Sequence, residues 1–196
     1  MKVICLTGGI ASGKSTASQF LAEKGAVIID ADKLGHKVYD PGTEGFNNVV
    51  AAFGDEIVAE DGQIDRKALG AKVFGDGGGG LKQLTDIVWP EIRKLAEAEI
   101  SELKKANPDA TVVLEAAVLF EAGWQDIGDE IWVAVVDQEL AISRAMERDG
   151  LERDAVENRI AAQLSNEERI SQADVVIENN GTLDEMLAML GEKWNQ

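Results

Sequence analysis

The sequence predicts a three-layer α/β fold in which a parallel β-sheet lies between two layers of α-helices. Two observations predict it. The chain opens with a strand, a glycine-rich turn, a helix and a second strand, and its last third alternates helical patterns with short apolar runs. Mostly helical sequence between about residues 33 and 108 interrupts this pattern. We therefore expect one domain within the 196 residues, with a helical insertion.

The opening segment has the features of a βαβ unit. Residues 3–6 form an apolar run, and apolar residues at helical spacing follow the glycine-rich turn until Gly25, which predicts a helix end. Residues 26–29 form a second apolar run that ends on Asp30. The first two strands are therefore expected to be parallel and joined by a helix.

The insertion contains two signals that break regular structure. The glycine-rich residues 75–80 predict a loop. Residues 81–105 carry apolar side chains at helical spacing, but Pro90 lies among them. Because proline fits the first turn of a helix better than its interior, we expect a break with a second helix starting at Pro90.

Further apolar runs predict the remaining strands, at residues 111–114, 131–136 and 175–177. The first of them ends at Glu115 and the second at Asp137. Capping-box spacing, with a glutamate three residues after a hydroxyl side chain, predicts helix starts at Ser165 and Thr182. The predicted organisation is a core of about 1–32, 109–137 and 166–196, an insertion of about 33–108 and a helical lid of about 138–165.

The glycine-rich turn has the spacing of a P-loop, with Gly8, four residues, then Gly13, Lys14 and Ser15. Its backbone N–H groups form an anion site at the start of a helix, the lysine reaches the β and γ phosphates, and the serine hydroxyl binds Mg²⁺. The fold is therefore expected to be that of P-loop NTPases. The residues predicted to bind ATP are Gly9, Ile10, Ala11, Ser12, Gly13, Lys14, Ser15, Thr16, Arg144 and Arg148.

Charge and composition narrow the classes of partner. With 19 basic and 36 acidic residues the net charge is −17, which repels nucleic acid and anionic membranes. Cys5 is the single cysteine, so no internal disulfide is possible, and the sequence starts with a strand-like run rather than a targeting segment. We expect a cytoplasmic protein that acts on a small molecule, as a monomer or weak homo-oligomer.

Two carboxylates favour phosphoryl transfer over a nucleotide switch. No Asn-Lys-x-Asp element, typical of guanine-specific switches, occurs in the sequence. The second strand ends in Asp30-Ala31-Asp32, at the sheet edge where open α/β folds bind ligands. We expect Ser15 and Asp30 to bind the metal ion, and Asp32 to face an acceptor hydroxyl. The alternative for either aspartate is a helix N-cap.

Every basic residue between 106 and 192 is an arginine, at positions Arg144, Arg148, Arg153, Arg159 and Arg169. Arg144 and Arg148 are four residues apart on a predicted helix, a repulsive spacing unless an anion lies between them. This segment is predicted to be a lid that closes on ATP, with Arg144, Lys14 and Asp32 as the catalytic residues. The alternative is a solvated helix whose arginines pair with Glu147 and Glu152.

Taken together, the motifs resemble those of dephospho-coenzyme A kinases. The segments that carry the resemblance are residues 6–16, Ile29-Asp30-Ala31-Asp32, Pro41-Gly42, Leu119-Phe120-Glu121, residues 144–150, residues 159–163 and Asn179-Asn180-Gly181. The family's usual proline before Leu-Leu-Phe-Glu is absent from residues 115–121, and its usual His-Pro is Trp89-Pro90 here. Both variants look like the kinase half of the bifunctional animal coenzyme A synthase.

The resemblance implies transfer of the ATP γ-phosphoryl group, with Mg²⁺, to the ribose 3′-hydroxyl of dephospho-coenzyme A. It implies that Asp32 orients or deprotonates this hydroxyl and that the helical insertion holds the acceptor. The diphosphate of the acceptor needs only a local basic patch, for which Lys33 and Lys37 are candidates. Two alternatives stay open: a P-loop kinase for another small metabolite, such as a nucleoside monophosphate or a sugar, and a non-catalytic ATP-dependent switch.

Overall fold

A computed structural model describes residues 1–75 and 79–195. Within these residues, five strands form one sheet: β1 (Lys2–Gly8), β2 (Val27–Asp30), β3 (Thr111–Glu115), β4 (Glu130–Val135) and β5 (Val175–Glu178). Their order is β2-β3-β1-β4-β5, and β1 pairs in parallel with both β3 and β4. The phosphate loop therefore leaves the central strand, with one strand end on each side of it.

The described helices are α1 (Lys14–Glu23), α2 (Ala31–Val38), α3 (Glu44–Phe53), α4 (Arg66–Phe74), α5 (Gly79–Ala106), α6 (Gln138–Asp149), α7 (Arg153–Ala161), α8 (Asn166–Ile170) and α9 (Leu183–Trp194). Short 3₁₀ turns lie at Asp55–Ile57 and Gln125–Ile127. None of these helices combines the length and the apolar character that crossing a membrane requires. The predicted three-layer α/β arrangement is confirmed.

The chain divides into two compact units, residues 1–29 with 102–196, and residues 30–101. The first unit contains the sheet, and its core packs Leu21 and Leu190 from α1 and α9 against the sheet residues Ile4, Val113 and Trp132. A second apolar cluster joins Ile142 and Val156 of α6 and α7 to Ile10 of the phosphate loop.

The second unit is helical, with α2, α3, α4 and most of α5. Its helices bury an apolar face that includes Leu34, Val49 and Ile92. Ile92 lies against Gly35, since a Cβ added at Gly35 would be 3.2 Å from Ile92 Cδ1. Of the loop predicted at residues 75–80, positions 76–78 lie outside the described residues.

The break predicted at Pro90 is wrong, because α5 runs from Gly79 to Ala106 with Pro90 inside it. Pro90 and Asp86, whose carbonyl loses its usual helical partner, are both exposed, so water can hydrate that carbonyl. On the opposite face the helix buries Val88, Ile92 and Ala96. Packing of this apolar stripe stabilises a continuous helix in spite of the missing hydrogen bond.

Both predicted capping boxes are confirmed. The side chain of Ser165 accepts from the backbone N–H of Glu168, whose carboxylate accepts from the backbone of Ser165 at the start of α8. Thr182 and Glu185 make the same reciprocal pair at the start of α9. These caps fix where the helices that precede and follow β5 in the chain begin.

Candidate active site

The phosphate loop connects the end of β1 to the start of α1. Gly13 precedes α1 with φ +93°, and Ala11 has φ +53°, so the backbone turns through left-handed conformations just before the helix. A Cβ at Gly8 would lie 2.5 Å from the carbonyl oxygen of Ala134, which explains the glycine there. The tight turn and the first turn of the ten-residue α1 offer backbone N–H groups suited to phosphate oxygens.

Glu115 is the partner of both side chains that the motif assigns to phosphate and metal. It lies at the end of β3, in register with Leu6 of β1. Its Oε1 is 2.8 Å from Lys14 Nζ and accepts a hydrogen bond from Ser15 Oγ at 3.4 Å. The Lys14 and Glu115 side chains are only 14% and 12% exposed, so water screens this pair weakly.

Arg144 reaches the loop region through Asn179, which directly follows β5. The Asn179 side chain donates to the Ser12 carbonyl at 2.9 Å, and Arg144 Nη1 donates to the Asn179 carbonyl at 2.9 Å. Arg148 instead makes a two-pronged contact with Asp149, at 2.7 and 2.9 Å, and this contact lowers the pKa of that carboxyl. The two arginines expected to share an anion therefore have different partners in this structure.

Gln163 contacts the first half of the loop, and Arg169 lies beside it. Gln163 Oε1 accepts from the backbone N–H of Ile10 at 3.1 Å. Arg169 in α8 donates from Nη1 to the carbonyl of Leu164, and a Cβ added at Gly9 would lie 3.3 Å from this nitrogen. Its side chain is only 3% exposed, and burial lowers the pKa of the guanidinium.

A cavity of about 400 Å³ lies between the first half of the loop and the segments from α6 to α8. It is lined by Gly9, Ile10, Ser12, Val136, Gln138, Ala141, Ile160, Ala161, Gln163, Leu164, Ser165, Asn166, Glu168 and Arg169. All of these residues belong to the unit that contains the sheet.

Asp30 and Asp32 belong to the second unit, and only one of them is a helix cap. Asp30 is the N-cap of α2, and its Oδ1 accepts from the N–H groups of Asp32 and Lys33 at 3.0 and 3.1 Å. Asp32 is exposed in the first turn of α2. Lys33 Nζ pairs with Asp30 at 3.2 Å, and Lys37 Nζ pairs with Glu99 at 2.9 Å. The contacts predicted for the acceptor diphosphate stay a prediction.

The chemistry of the loop fits a magnesium ion held mainly by nucleotide phosphates. Among the residues that the structure describes, no group of three or more histidine, cysteine, aspartate or glutamate side chains could form a metal site without other ligands. Ser15 Oγ and Glu115 Oε1 nevertheless converge within 3.4 Å, and Mg²⁺ commonly combines one or two such oxygens with phosphates and water.

Comparison with known proteins supplies the family. The family model described as dephospho-CoA kinase matches residues 2–185. The chain belongs to the dephospho-CoA kinase family. The dephospho-CoA kinase of Geobacter sulfurreducens is 48% identical over 194 residues, which cover 99% of this chain and 98% of that protein.

Two solved structures are similar to this member of the dephospho-CoA kinase family over nearly its whole length. TT1252 from Thermus thermophilus is 34% identical with a TM-score of 0.82, and the match covers 99% of this chain and 96% of that one. The dephospho-CoA kinase from Campylobacter jejuni is 28% identical with a TM-score of 0.74, covering 98% and 95%. The family resemblance seen in the sequence motifs is confirmed.

Several residues at the phosphate loop of this dephospho-CoA kinase family member were not among the predicted site residues. They are Glu115, Gln163, Arg169 and Asn179. The sequence contains a signal for Glu115. This residue ends a predicted strand of the parallel sheet, and the phosphate loop begins where another strand of the sheet ends. Gln163 and Asn179 lie in segments that carry the family resemblance, but their hydrogen bonds to the loop depend on folding of residues more than 150 positions away.

Proposed function

We propose that the chain transfers the terminal phosphoryl group of ATP to the ribose 3′-hydroxyl of dephospho-CoA, which yields CoA and ADP as the last step of CoA biosynthesis. Membership in the dephospho-CoA kinase family supports the acceptor. The observation that carries the chemistry is the Lys14–Glu115–Ser15 cluster at the mouth of the phosphate loop. It combines a cation for phosphate oxygens with oxygens for a metal ion.

In this proposal the backbone of residues 9–13 and α1 bind the β and γ phosphates, and Lys14 exchanges part of its contact with Glu115 for phosphate oxygens. The ammonium then stabilises the charge that spreads over the transferring group. Arg144, which donates a hydrogen bond to the carbonyl of Asn179 next to the loop, would add a second positive charge. Arg148 joins it if the α6 segment closes over the nucleotide.

In this proposal Ser15 and Asp30 would hold Mg²⁺, and Glu115 would support the Ser15 hydroxyl. When bound, the ion neutralises phosphate charge and orients the γ-phosphoryl group for in-line transfer. Asp30 uses Oδ1 to cap α2, so Oδ2, which is paired with exposed Lys33, is the oxygen that would hold the ion. The finer predictions of a cytoplasmic location and of a monomer or weak homo-oligomer stay part of this proposal.

Asp32 is proposed as the general base. Its carboxylate is exposed in the first turn of α2, directly after the end of β2, and is not the residue that caps this helix. It would accept the proton of the 3′-hydroxyl as the hydroxyl oxygen attacks the γ phosphorus and the ADP oxygen leaves.

A panel of acceptors tests the function. With ATP and Mg²⁺, we expect dephospho-CoA to be phosphorylated far faster than AMP, CMP, shikimate or gluconate, with the new phosphate located on the 3′ oxygen by ³¹P NMR. Faster turnover of another acceptor would indicate a different metabolite kinase. ATP binding without any acceptor turnover would indicate the non-catalytic switch.

The role of Asp32 is tested separately. Asp32→Asn should bind ATP as the unchanged chain does but lose about two orders of magnitude or more in kcat, as expected when a general base is removed. Asp40→Asn, at an exposed aspartate just after α2, is the matched control and should keep normal turnover. Normal turnover in Asp32→Asn would remove Asp32 from this role.

A further inference from the structure

Arg169 has a buried guanidinium group that is only partly hydrogen-bonded. Its side chain is 3% exposed, and Nη1 donates to the carbonyl of Leu164. Nε and Nη2 are buried and have no hydrogen-bond partner among the residues that the structure describes. Glu121 Oε1 forms an ion pair with Nη2 at 3.8 Å, a distance that is too long for a hydrogen bond.

This arrangement is costly in the folded protein. A buried donor without a partner loses its hydration, and the loss is larger for a charged group. Burial lowers the pKa of Arg169, but arginine stays protonated in proteins, so the charge remains. An apolar side chain would fill the same volume at lower cost, which indicates that the cation has a use.

The geometry of the two unsatisfied nitrogens indicates the class of ligand. Nε and Nη2 lie on one edge of the planar guanidinium, and this edge matches two oxygens of one phosphate or carboxylate group. Protein carboxylates do not fill this role here. Glu121 is beyond hydrogen-bonding distance, and Glu168, which lines the same cavity, already accepts from Ser165.

The position of Arg169 favours phosphate. It lines the cavity of about 400 Å³ together with Gly9 and Ile10, the first residues of the phosphate loop. A Cβ at Gly9 would lie 3.3 Å from Arg169 Nη1, so the guanidinium is beside the loop backbone. At the next residue of the loop, the backbone N–H of Ile10 donates a hydrogen bond to Gln163 Oε1. This part of the loop therefore presents a hydrogen-bond donor to an acceptor.

We propose that Arg169 binds a phosphate group of a substrate at this cavity, with its guanidinium turning so that Nε and Nη2 face the phosphate oxygens. The inference deepens the proposed function and rests on it. The phosphate comes from one of two sources, the terminal phosphoryl group of ATP or a phosphate of dephospho-CoA. Arg169 would then be a binding residue of the phosphoryl-transfer site, contributed by α8 rather than by the loop or the α6 arginines.

Equilibrium binding of separate ligands tests the proposal. We would measure Kd by calorimetry, with Mg²⁺, for ADP, for a non-hydrolysable ATP analogue that has the γ phosphate, and for dephospho-CoA. The variants are Arg169→Gln, which removes the charge, and Arg169→Lys, which keeps it but loses the fork. Lys105→Gln removes a positive charge from the surface pair with Glu102 and is the control.

We expect Arg169→Gln to weaken one class of ligand selectively, by about ten- to one-hundredfold, the range for a charged hydrogen bond. Weaker binding of the ATP analogue but not of ADP identifies the γ phosphate, and weaker binding of dephospho-CoA alone identifies the acceptor. Arg169→Lys should show the same selectivity with a smaller loss. If Arg169→Gln does not fold, Arg169→Lys supplies the comparison.

Two results would overturn the proposal. One is binding within about twofold of the unchanged chain for all three ligands, well below the loss of a charged hydrogen bond. The other is an equal loss for all three, which would indicate that Arg169 only supports the loop backbone. Failure of the unchanged chain to phosphorylate dephospho-CoA would instead overturn the proposed function, while the comparison of ADP with the ATP analogue would still test Arg169.

Discussion

Glu115 is the residue on which the two functional side chains of the phosphate loop converge. Its carboxylate holds Lys14 at 2.8 Å and accepts from Ser15 at 3.4 Å, and little of either charged side chain is exposed. The ion pair fixes the direction of Lys14 before nucleotide binds. It also keeps a carboxylate beside the serine hydroxyl that is proposed to bind Mg²⁺.

Glu115→Gln keeps the shape of the side chain but removes its charge. We expect kcat to fall by about ten- to one-hundredfold, since a charged hydrogen bond is worth about 1.5–3 kcal/mol, and the Mg²⁺ concentration for half-maximal rate to rise. Steady-state assays with a Mg²⁺ titration measure both effects. Glu178→Gln, at an exposed carboxylate that ends β5, is the control; equal behaviour of the two variants would contradict a role for Glu115.

Gly13 and Gly25 allow the effects of backbone strain and of steric crowding to be measured separately. Both residues have positive φ, +93° and +100°, but their surroundings differ. An alanine Cβ at position 13 would collide with the Asn179 side chain, whereas at position 25 it would meet no atom within 4 Å. We expect Gly25→Ala to cost about 1–2 kcal/mol of unfolding free energy and to bind ATP normally. Gly13→Ala should cost more and should also lose ATP binding.

Urea unfolding and calorimetric titration with ATP give these two quantities for each variant. A Gly13→Ala protein that binds ATP as tightly as Gly25→Ala would show that the loop accommodates the methyl group. The loop conformation described above would then not be the one that binds phosphate.

Prediction of single site residues from the sequence rests on local spacing and is incomplete where contacts depend on folding. Lys14 and Ser15 were identified because the P-loop motif holds them within a few positions of the glycines that form the anion site. Glu115 and Arg169 meet the loop only after strands and helices distant in the chain have packed. The end of a predicted strand was a signal for Glu115, but spacing along the chain contains none for Arg169.

Helix α5 shows how an element can override a local signal. The sequence predicted a break at Pro90, but the helix continues because its buried stripe of Val88, Ile92 and Ala96 packs on the face opposite the proline. The strand predictions held to within a residue or two because short apolar runs between turn signals are typical of buried parallel strands. The energy of tertiary packing, which decides at Pro90, cannot be computed from local propensity.

Pro90→Ala should stabilise the protein. The substitution restores an N–H for the Asp86 carbonyl and relieves the ring clash, and proline costs up to about 3 kcal/mol in a helix interior. We expect an increase of about 1–3 kcal/mol in unfolding free energy, measured by urea denaturation. Ala98→Gly, on the exposed face of the same helix, should lower it by about 1 kcal/mol. A destabilised Pro90→Ala variant would mean that packing requires a kink at this proline.

At the scale of the whole molecule, the central strand reports on global opening. Cys5 is fully buried on β1, and burial raises the pKa of its thiol to about 12. At pH 8 the Cys5 thiol of the folded protein is therefore protonated and inaccessible. In the unfolded protein the pKa of a cysteine is about 8.5, so part of the thiol is deprotonated and reacts. Labelling of Cys5 should require opening of the sheet.

We expect alkylation of Cys5 at pH 8 to be slow in the native protein and complete within minutes in denaturant. ATP at a hundred times its Kd should slow native labelling by about one-hundredfold, because ligand binding lowers the population of the open state by mass action. Mass spectrometry of time points measures both rates. Rapid labelling of the native protein would contradict a closed sheet around β1.

The strand order also determines when the protein can fold during synthesis. Strand β1 pairs with β3 and β4. Lys2 can therefore pair only after Thr111 has been synthesised, and Gly8 only after Ala134. A nascent chain that has emerged only as far as the helical unit has made its phosphate loop but has neither flanking strand to support it. Nucleotide can therefore act as a ligand for folding only late in translation, once most of the chain has left the ribosome.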